Sequence, residues 1–169
     1  MDREHLHVSH SLRRTLRRGR FEVSFDRAFC EVIRACASNR EGGTWILPEM
    51  KSAYSRLHEL GHAHSFEVWL DGELAGGLYG VRRGALFAAE SMFHRRTNAS
   101  KVALCVSIDT LFRAGIELFD VQFITDHLTS LGAFTVPRRE YLARVARALE
   151  KTVPVESIVA ALSDWRCRF

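Results

Sequence analysis

Phe21, Val23 and Phe25 alternate with polar neighbours, as a strand does when one of its faces is buried. Ahead of them, Ser9 or Ser11 suits the cap of a short helix running to Gly19. After them the period lengthens: Phe29, Ile33 and Ala37 fall on one helical face, and Asp26 is placed as the N-cap of a helix ending near Ala37. Residues 38–44, with Gly42 and Gly43, predict a loop. Pro48 suits the first turn of the next helix, which reaches Leu60, and Gly61 suits its stop.

From Ser65 the period becomes two. Phe66, Val68 and Leu70 alternate with Glu67 and Trp69, and Asp71-Gly72 predicts a tight hairpin into a return strand over 73–81. A third strand is predicted over 86–89, then a helix over 100–114 stopped by Gly115 and a strand over 118–124. A short helix over 126–131 ends at Gly132, and Pro137 opens a helix over 138–149. Helices interleaved with a mostly antiparallel meander describe an α/β sandwich. Residues 1–150 form its domain, and residues 151–169, with only a weak helical pattern, read as a tail of unclear role.

Composition changes this picture little. A chain of 169 residues, 47% hydrophobic, buries one sizeable core. No run approaches the roughly 20 apolar residues that span a bilayer, and the N-terminus has no apolar secretory stretch. Cys30, Cys36, Cys105 and Cys167 form no CxxC pair, so reduced thiols and a cytoplasmic, monomeric protein without membrane association are expected.

Charge changes it more. The net charge is +4, and among 24 basic residues only Lys51, Lys101 and Lys151 are lysine. Arg13, Arg14, Arg17, Arg18 and Arg20 cluster with no acidic residue among them, and guanidinium groups suit bidentate contact with phosphate.

His58-Glu59-Leu60-Gly61-His62 matches H-E-x-x-H, the zinc-peptidase signature. That chemistry needs both histidines one turn apart on a continuing helix. Here Gly61 ends the helical pattern and strand alternation follows, so the histidines are expected to tie down a helix-to-strand junction through backbone hydrogen bonds, and no metal or other cofactor is called for. A zinc peptidase remains the rival enzyme class, and a non-catalytic RNA-binding module the rival binding class.

Asp120-Val121-Gln122 begins what reads as a buried strand, where side chains two apart share a face. A carboxylate beside an amide on a rigid element can take a proton and orient a polarised carbonyl. That segment as far as Arg139, with His-Glu-Leu-Gly-His-Ala-His-Ser at 58–65 and Glu-Ser-Met-Phe at 90–93, resembles the leucyl/phenylalanyl-tRNA–protein transferases. The resemblance runs from about Leu6 to Leu142.

It implies an acetyltransferase-like (GNAT-type) fold, and transfer of Leu, Phe or Met from aminoacyl-tRNA to acceptor proteins beginning with Arg or Lys, which marks them for degradation by the N-end rule. It places Asp120 and Gln122 at the reaction centre, Asp120 for the amine and Gln122 for the ester or oxyanion. Glu90, with Ser91 beside it, faces the acceptor's basic residue or the donor's amino group. Leu78, Phe87 and Met92 match the apolar pocket for the donor side chain, while Ser107 departs from a bulky pocket residue and leaves the donor preference open. Arg14, Arg17 and Arg18 match a basic helix facing the tRNA acceptor stem, with His10 where relatives usually carry arginine. Arg138 and Arg139 also match, as phosphate binders or as structural ion pairs. Family members carry a small N-terminal domain with a Phe-Pro-Trp stretch ahead of the segment matching Leu6, so a shortened, impaired enzyme is expected.

Overall fold

The computed structural model describes residues 1–38 and 44–167. The predicted Gly42-Gly43 loop lies outside them. The elements run α1 His10–Arg17, β1 Phe21–Phe25, α2 Phe29–Ser38, α3 Pro48–Glu59, β2 Ala63–Leu70, β3 Glu73–Arg83, β4 Leu86–His94, α4 Ala99–Arg113, β5 Leu118–Asp120, α5 Asp126–Ser130, α6 Arg138–Leu149 and α7 Val155–Ser163. The architecture is the α/β one expected, a mostly antiparallel sheet flanked by helices. Its order is β1-β2-β3-β4-β5, with four strands in an antiparallel meander and β5 joining parallel to β4.

Alternation along the strands sends side chains to two cores. Phe66, Leu78, Phe87 and Phe119 pack with α4 and with Leu12 and Leu16 of α1. Ala63, Tyr79 and Phe93 pack with Phe29, Val32 and Ile33 of α2. Helix α4 is the spine: from Ala99 to Leu111 it is almost wholly buried, which accounts for the absence of a polar face in its sequence. The β2–β3 hairpin turns on Asp71 and Gly72 with φ of 53° and 81°, both positive as a type I′ turn requires. No helix among the described residues is long and apolar enough to cross a membrane.

Three sequence expectations are corrected. Asp26 does not cap α2: its φ is +57°, and its carboxylate accepts from Ser65 N at 2.8 Å and His64 Nδ1 at 2.7 Å, pinning β1 to β2. The carboxylate at the start of α2 comes instead from Glu67 across the sheet, accepting from the Arg27 and Ala28 amides and from the hydroxyls of Ser24 and Ser65. Strand β4 continues past 89 to His94, and β5 stops at Asp120 rather than reaching 124. Within residues 151–169, α7 folds onto α4, burying Val153, Ile158 and Ala161, and Arg113 donates to Ala161 O at 3.0 Å.

Candidate active site

Where β5 leaves the sheet, the chain makes an unusual turn. The Phe123 amide donates to Val121 O at 2.7 Å, and Gln122 between them has φ +62°. A bond from residue i+2 back to i, with positive φ at the centre, belongs to the rarer, strained γ-turn. Asp120 closes the turn from inside: its Oδ1 accepts from the Gln122 amide at 2.7 Å and its Oδ2 from the Tyr141 hydroxyl at 2.8 Å. The Tyr141 hydroxyl has its pKa raised, first by that hydrogen bond, then by burial and by the charge of Asp120. Asp120 and Gln122 are therefore neighbours through a backbone bond, and not, as expected, through two side chains on one strand face.

Two cavities flank this turn. One, of about 520 Å³, holds Asp120 with Tyr141, Arg138, Arg144 and Phe134. The other, of about 580 Å³, holds Glu90, Ser91, Leu78 and Met92 with Trp45 and His127. Val121, Gln122 and Phe123 line both. Phe123 is 78% exposed, a large apolar side chain left standing at the junction.

Glu90 reaches its cavity through an irregularity in β4. Tyr79 pairs with Ser91 and Gly80 with Ala89, so Glu90 is the extra, unpaired residue of a β-bulge. Bulges re-aim side chains, and this one needs Gly80: a Cβ there would lie 2.4 Å from Ala88 O and 2.6 Å from the Phe87 ring. Tyr54 of α3 lies close enough to Glu90 to feel it: burial, then the carboxylate of Glu90, push its hydroxyl up to about 12. Leu78 and Met92 face each other across β3 and β4 and form the apolar part of the wall. Phe87 lines neither cavity. It is fully buried behind them, its ring 5.4 Å from Phe119, next to Asp120. Ser107 lies inside α4, its hydroxyl donating to Leu104 O at 2.9 Å.

The basic helix forms as expected. Ser9 Oγ accepts from Leu12 N at 3.3 Å, Leu12 and Leu16 face the core, and His10, Arg14, Arg17 and Arg18 stand exposed. Arg138 lines the Asp120 cavity, whereas Arg139 does not.

The H-E-x-x-H stretch is a helix end. Gly61 has φ +74°, its amide bonds His58 O at 2.9 Å, and the His62 amide bonds Leu57 O at 2.8 Å, the paired bonds of a Schellman stop. His62 therefore leaves the helix face that carries His58. The His58 ring stacks on Phe29 at 4.2 Å with Nδ1 2.9 Å from Ala63 O, and Glu59 pairs with Arg56. These contacts are structural, and no cluster of metal-binding side chains occurs among the described residues.

Tyr54, Tyr141 and Trp45 were not singled out from the sequence. Tyr141 had a readable signal, since it lies one turn into a helix opened by Pro137. Tyr54 and Trp45 had none, because their partners are remote in the chain.

A family profile described as leucyl/phenylalanyl-tRNA protein transferase matches residues 1–146. Proteins named leucyl/phenylalanyl-tRNA–protein transferase are similar: one from Ruegeria pomeroyi is 51% identical over 90% of this chain and 72% of its own length. Another, from Aromatoleum aromaticum, is 58% identical over 84% of this chain and 61% of its own length. A third, from Anaeromyxobacter, is 53% identical over 89% of this chain and 66% of its own length. The chain thus spans about two thirds of the relatives it matches. Among solved structures, an aminoglycoside acetyltransferase from a soil metagenome, crystallised with sisomicin, aligns with TM-score 0.49 and 14% identity over 81% of this chain and 91% of its own.

Proposed function

Because this chain belongs to the leucyl/phenylalanyl-tRNA–protein transferase family, we propose that it transfers Leu, Phe or Met from aminoacyl-tRNA to the N-terminal Arg or Lys of acceptor proteins, marking them for degradation. The observation that carries this reading is the strained turn at Gln122, shared by the Asp120 cavity and the Glu90 cavity. A carbonyl held at the turn is open to a carboxylate-bound amine on one side and an apolar pocket on the other.

The chemistry asks little of the protein. An aminoacyl ester is already activated, and an acceptor α-amine with pKa of about 7.7–8.0 is partly neutral near pH 7. Positioning, proton removal and oxyanion stabilisation remain. Asp120, both of whose oxygens are fixed by Tyr141 and the Gln122 amide, turns its remaining lone pairs to the amine and receives or passes on its proton. The Gln122 side chain, exposed beside it, donates to the ester carbonyl as negative charge develops there. Leu78 and Met92 hold the donor side chain, and Met adapts to Leu, Phe or Met alike. Glu90 and Ser91, on the same wall, take the amino group of the donor or the basic residue of the acceptor. Phe87 supports this wall and the Asp120 strand from behind. His10, Arg14, Arg17 and Arg18 bind the tRNA by phosphate and shape, since A-form grooves hide base identity. The enzyme acts in the cytoplasm, a reading supported by four cysteines all free of disulfides.

The test is radiolabelled Leu-tRNA with an Arg-initiated acceptor peptide. Asp120→Asn is expected to lower the chemical step at least a hundredfold, within the range of general acid–base contributions, with tRNA affinity unchanged. A protein that binds the tRNA yet transfers nothing would be an RNA-binding module instead.

A further inference from the structure

A third cleft lies away from both cavities, between the end of α1, the start of β1 and the β4–α4 turn. Its volume is about 310 Å³, some ten water volumes at roughly 30 Å³ each. Arg18, Arg20 and Arg96 rim it, and Phe21 and Leu70, paired across β1 and β2, form its apolar floor. Three arginines from two parts of the chain, the α1–β1 junction and the β4–α4 turn, thus line one cleft. Arg18 and Arg20 have no carboxylate partner among the described residues. Among the described residues the Arg96 guanidinium meets only the exposed Glu73, at 3.5 Å, a surface pair of little strength.

The remaining wall is equally suited to an anion. Thr97 and Asn98 end at the first turn of α4, which has no side-chain cap. The positive end of the fifteen-residue α4 dipole lies behind this rim, with Ala99 and Ser100 buried and the Ala99 amide donating to Arg96 O at 3.1 Å. Asn98, held at φ +70°, turns its amide toward Thr15 Oγ1 at 3.4 Å instead of back onto the helix. The wall is rigid: a Cβ on Gly76 would lie 2.6 Å from Ala99 Cβ, so β3 and the start of α4 are in close contact.

We propose that this cleft binds one backbone phosphate of the RNA, with its sugar against Phe21 and Leu70. The inference rests on the RNA-binding reading of α1 and extends it around the corner of the molecule, because Arg18 belongs both to the exposed face of α1 and to the cleft. A phosphate there is met by bidentate guanidinium groups in the field of the α4 N-terminus, and the apolar floor accepts the sugar that a free phosphate lacks.

The experiment is fluorescence anisotropy of the whole chain with a fluorescein-labelled leucine tRNA transcript over a chloride series. Arg20→Gln and Arg96→Gln are each expected to reduce the slope of log affinity against log salt by roughly 0.7–0.9, as loss of one phosphate contact does. Arg14→Gln reports the α1 face, and Arg34→Gln on α2 controls for loss of charge. An unchanged slope for Arg20→Gln and Arg96→Gln, with a reduced one for Arg14→Gln, overturns the cleft and leaves the RNA reading standing. No effect of any of the three, or no salt-dependent binding by the unaltered chain, removes the RNA reading and the cleft with it. Equal effects of Arg34→Gln and the cleft variants also overturn it. In a parallel arm inorganic phosphate is titrated while the Asn98 side-chain amide is followed by NMR. A shift there, with RNA slopes untouched by Arg20→Gln and Arg96→Gln, means a small-anion site and refutes the RNA assignment.

Discussion

Gln122 holds a backbone conformation that costs a β-carbon-bearing residue about 1–2 kcal/mol, and the surrounding hydrogen bonds keep it there. Glycine would adopt the same φ without that penalty. Gln122→Gly is therefore expected to leave folding stability unchanged or raise it by up to about 1 kcal/mol, while transfer activity falls with loss of the amide. Denaturant unfolding read beside the transfer assay separates the two. If activity survives, the side chain is not the carbonyl donor. Tyr54 gives a second test at this scale. Its folded pKa, near 12, exceeds the ordinary value of 10, so its contribution to stability is complete below pH 10. Between pH 10 and 12 the unfolded state ionises while the folded state does not, and the contribution is lost. Tyr54→Phe should flatten the fall in unfolding free energy between pH 9.5 and 11.5. An equal fall in both proteins would show that neither burial nor Glu90 raises the Tyr54 hydroxyl.

At the scale of elements, the bulge in β4 sets Glu90 in its cavity, and Gly80 sets the bulge. Adding one methyl at Gly80 drives it onto Ala88 O and the Phe87 ring, so Gly80→Ala is expected to cost about 1–3 kcal/mol and to weaken transfer beyond what lost stability explains. A melt and a transfer assay below the melting range check both parts, and unaltered activity would show that Glu90 does not depend on the bulge. This element also marks how far the sequence could be read. Strong periodicity placed α1, α3, α4, α6 and the β2–β3 hairpin within a few residues. Strand β4 was cut short because the bulge breaks alternation at Glu90-Ser91, although a glycine inside a strand pattern is a known signal of such a site. Asp26 looked like a helix cap because aspartate before an apolar helix usually is one, and only the proximity of His64 and Ser65 across the sheet redirects it. Strand β5 was read too long for a similar reason: β-branched and aromatic residues continue past Asp120, but they line cavities instead of a ladder. The residues of the site were named from a family resemblance, and their division between two cavities was not legible, since it depends on a turn whose strain no local pattern encodes.

For the whole molecule, α4 joins the parts that act and the parts that support. One side of the sheet packs on it, α1 with its arginines lies against it, and α7 closes over it from residues that showed only a faint pattern in sequence. Ile158 is fully buried in that closure, and Arg82 and Arg113 add hydrogen bonds to Val153 O and Ala161 O at 2.8 and 3.0 Å. Truncating a buried isoleucine to alanine costs about 2–5 kcal/mol through lost transfer energy and the cavity left behind. In a chain of this size each kcal/mol moves the melting temperature by roughly 2–4 °C. Ile158→Ala should therefore melt on the order of 10 °C lower by calorimetry. Its tRNA affinity, measured well below the melting range, should be unchanged, because neither α1 nor the two cavities touch Ile158. A small melting shift would mean that α7 is only loosely docked in solution. A weakened tRNA affinity at full folding would mean instead that α4 transmits the packing of α7 to the basic helix.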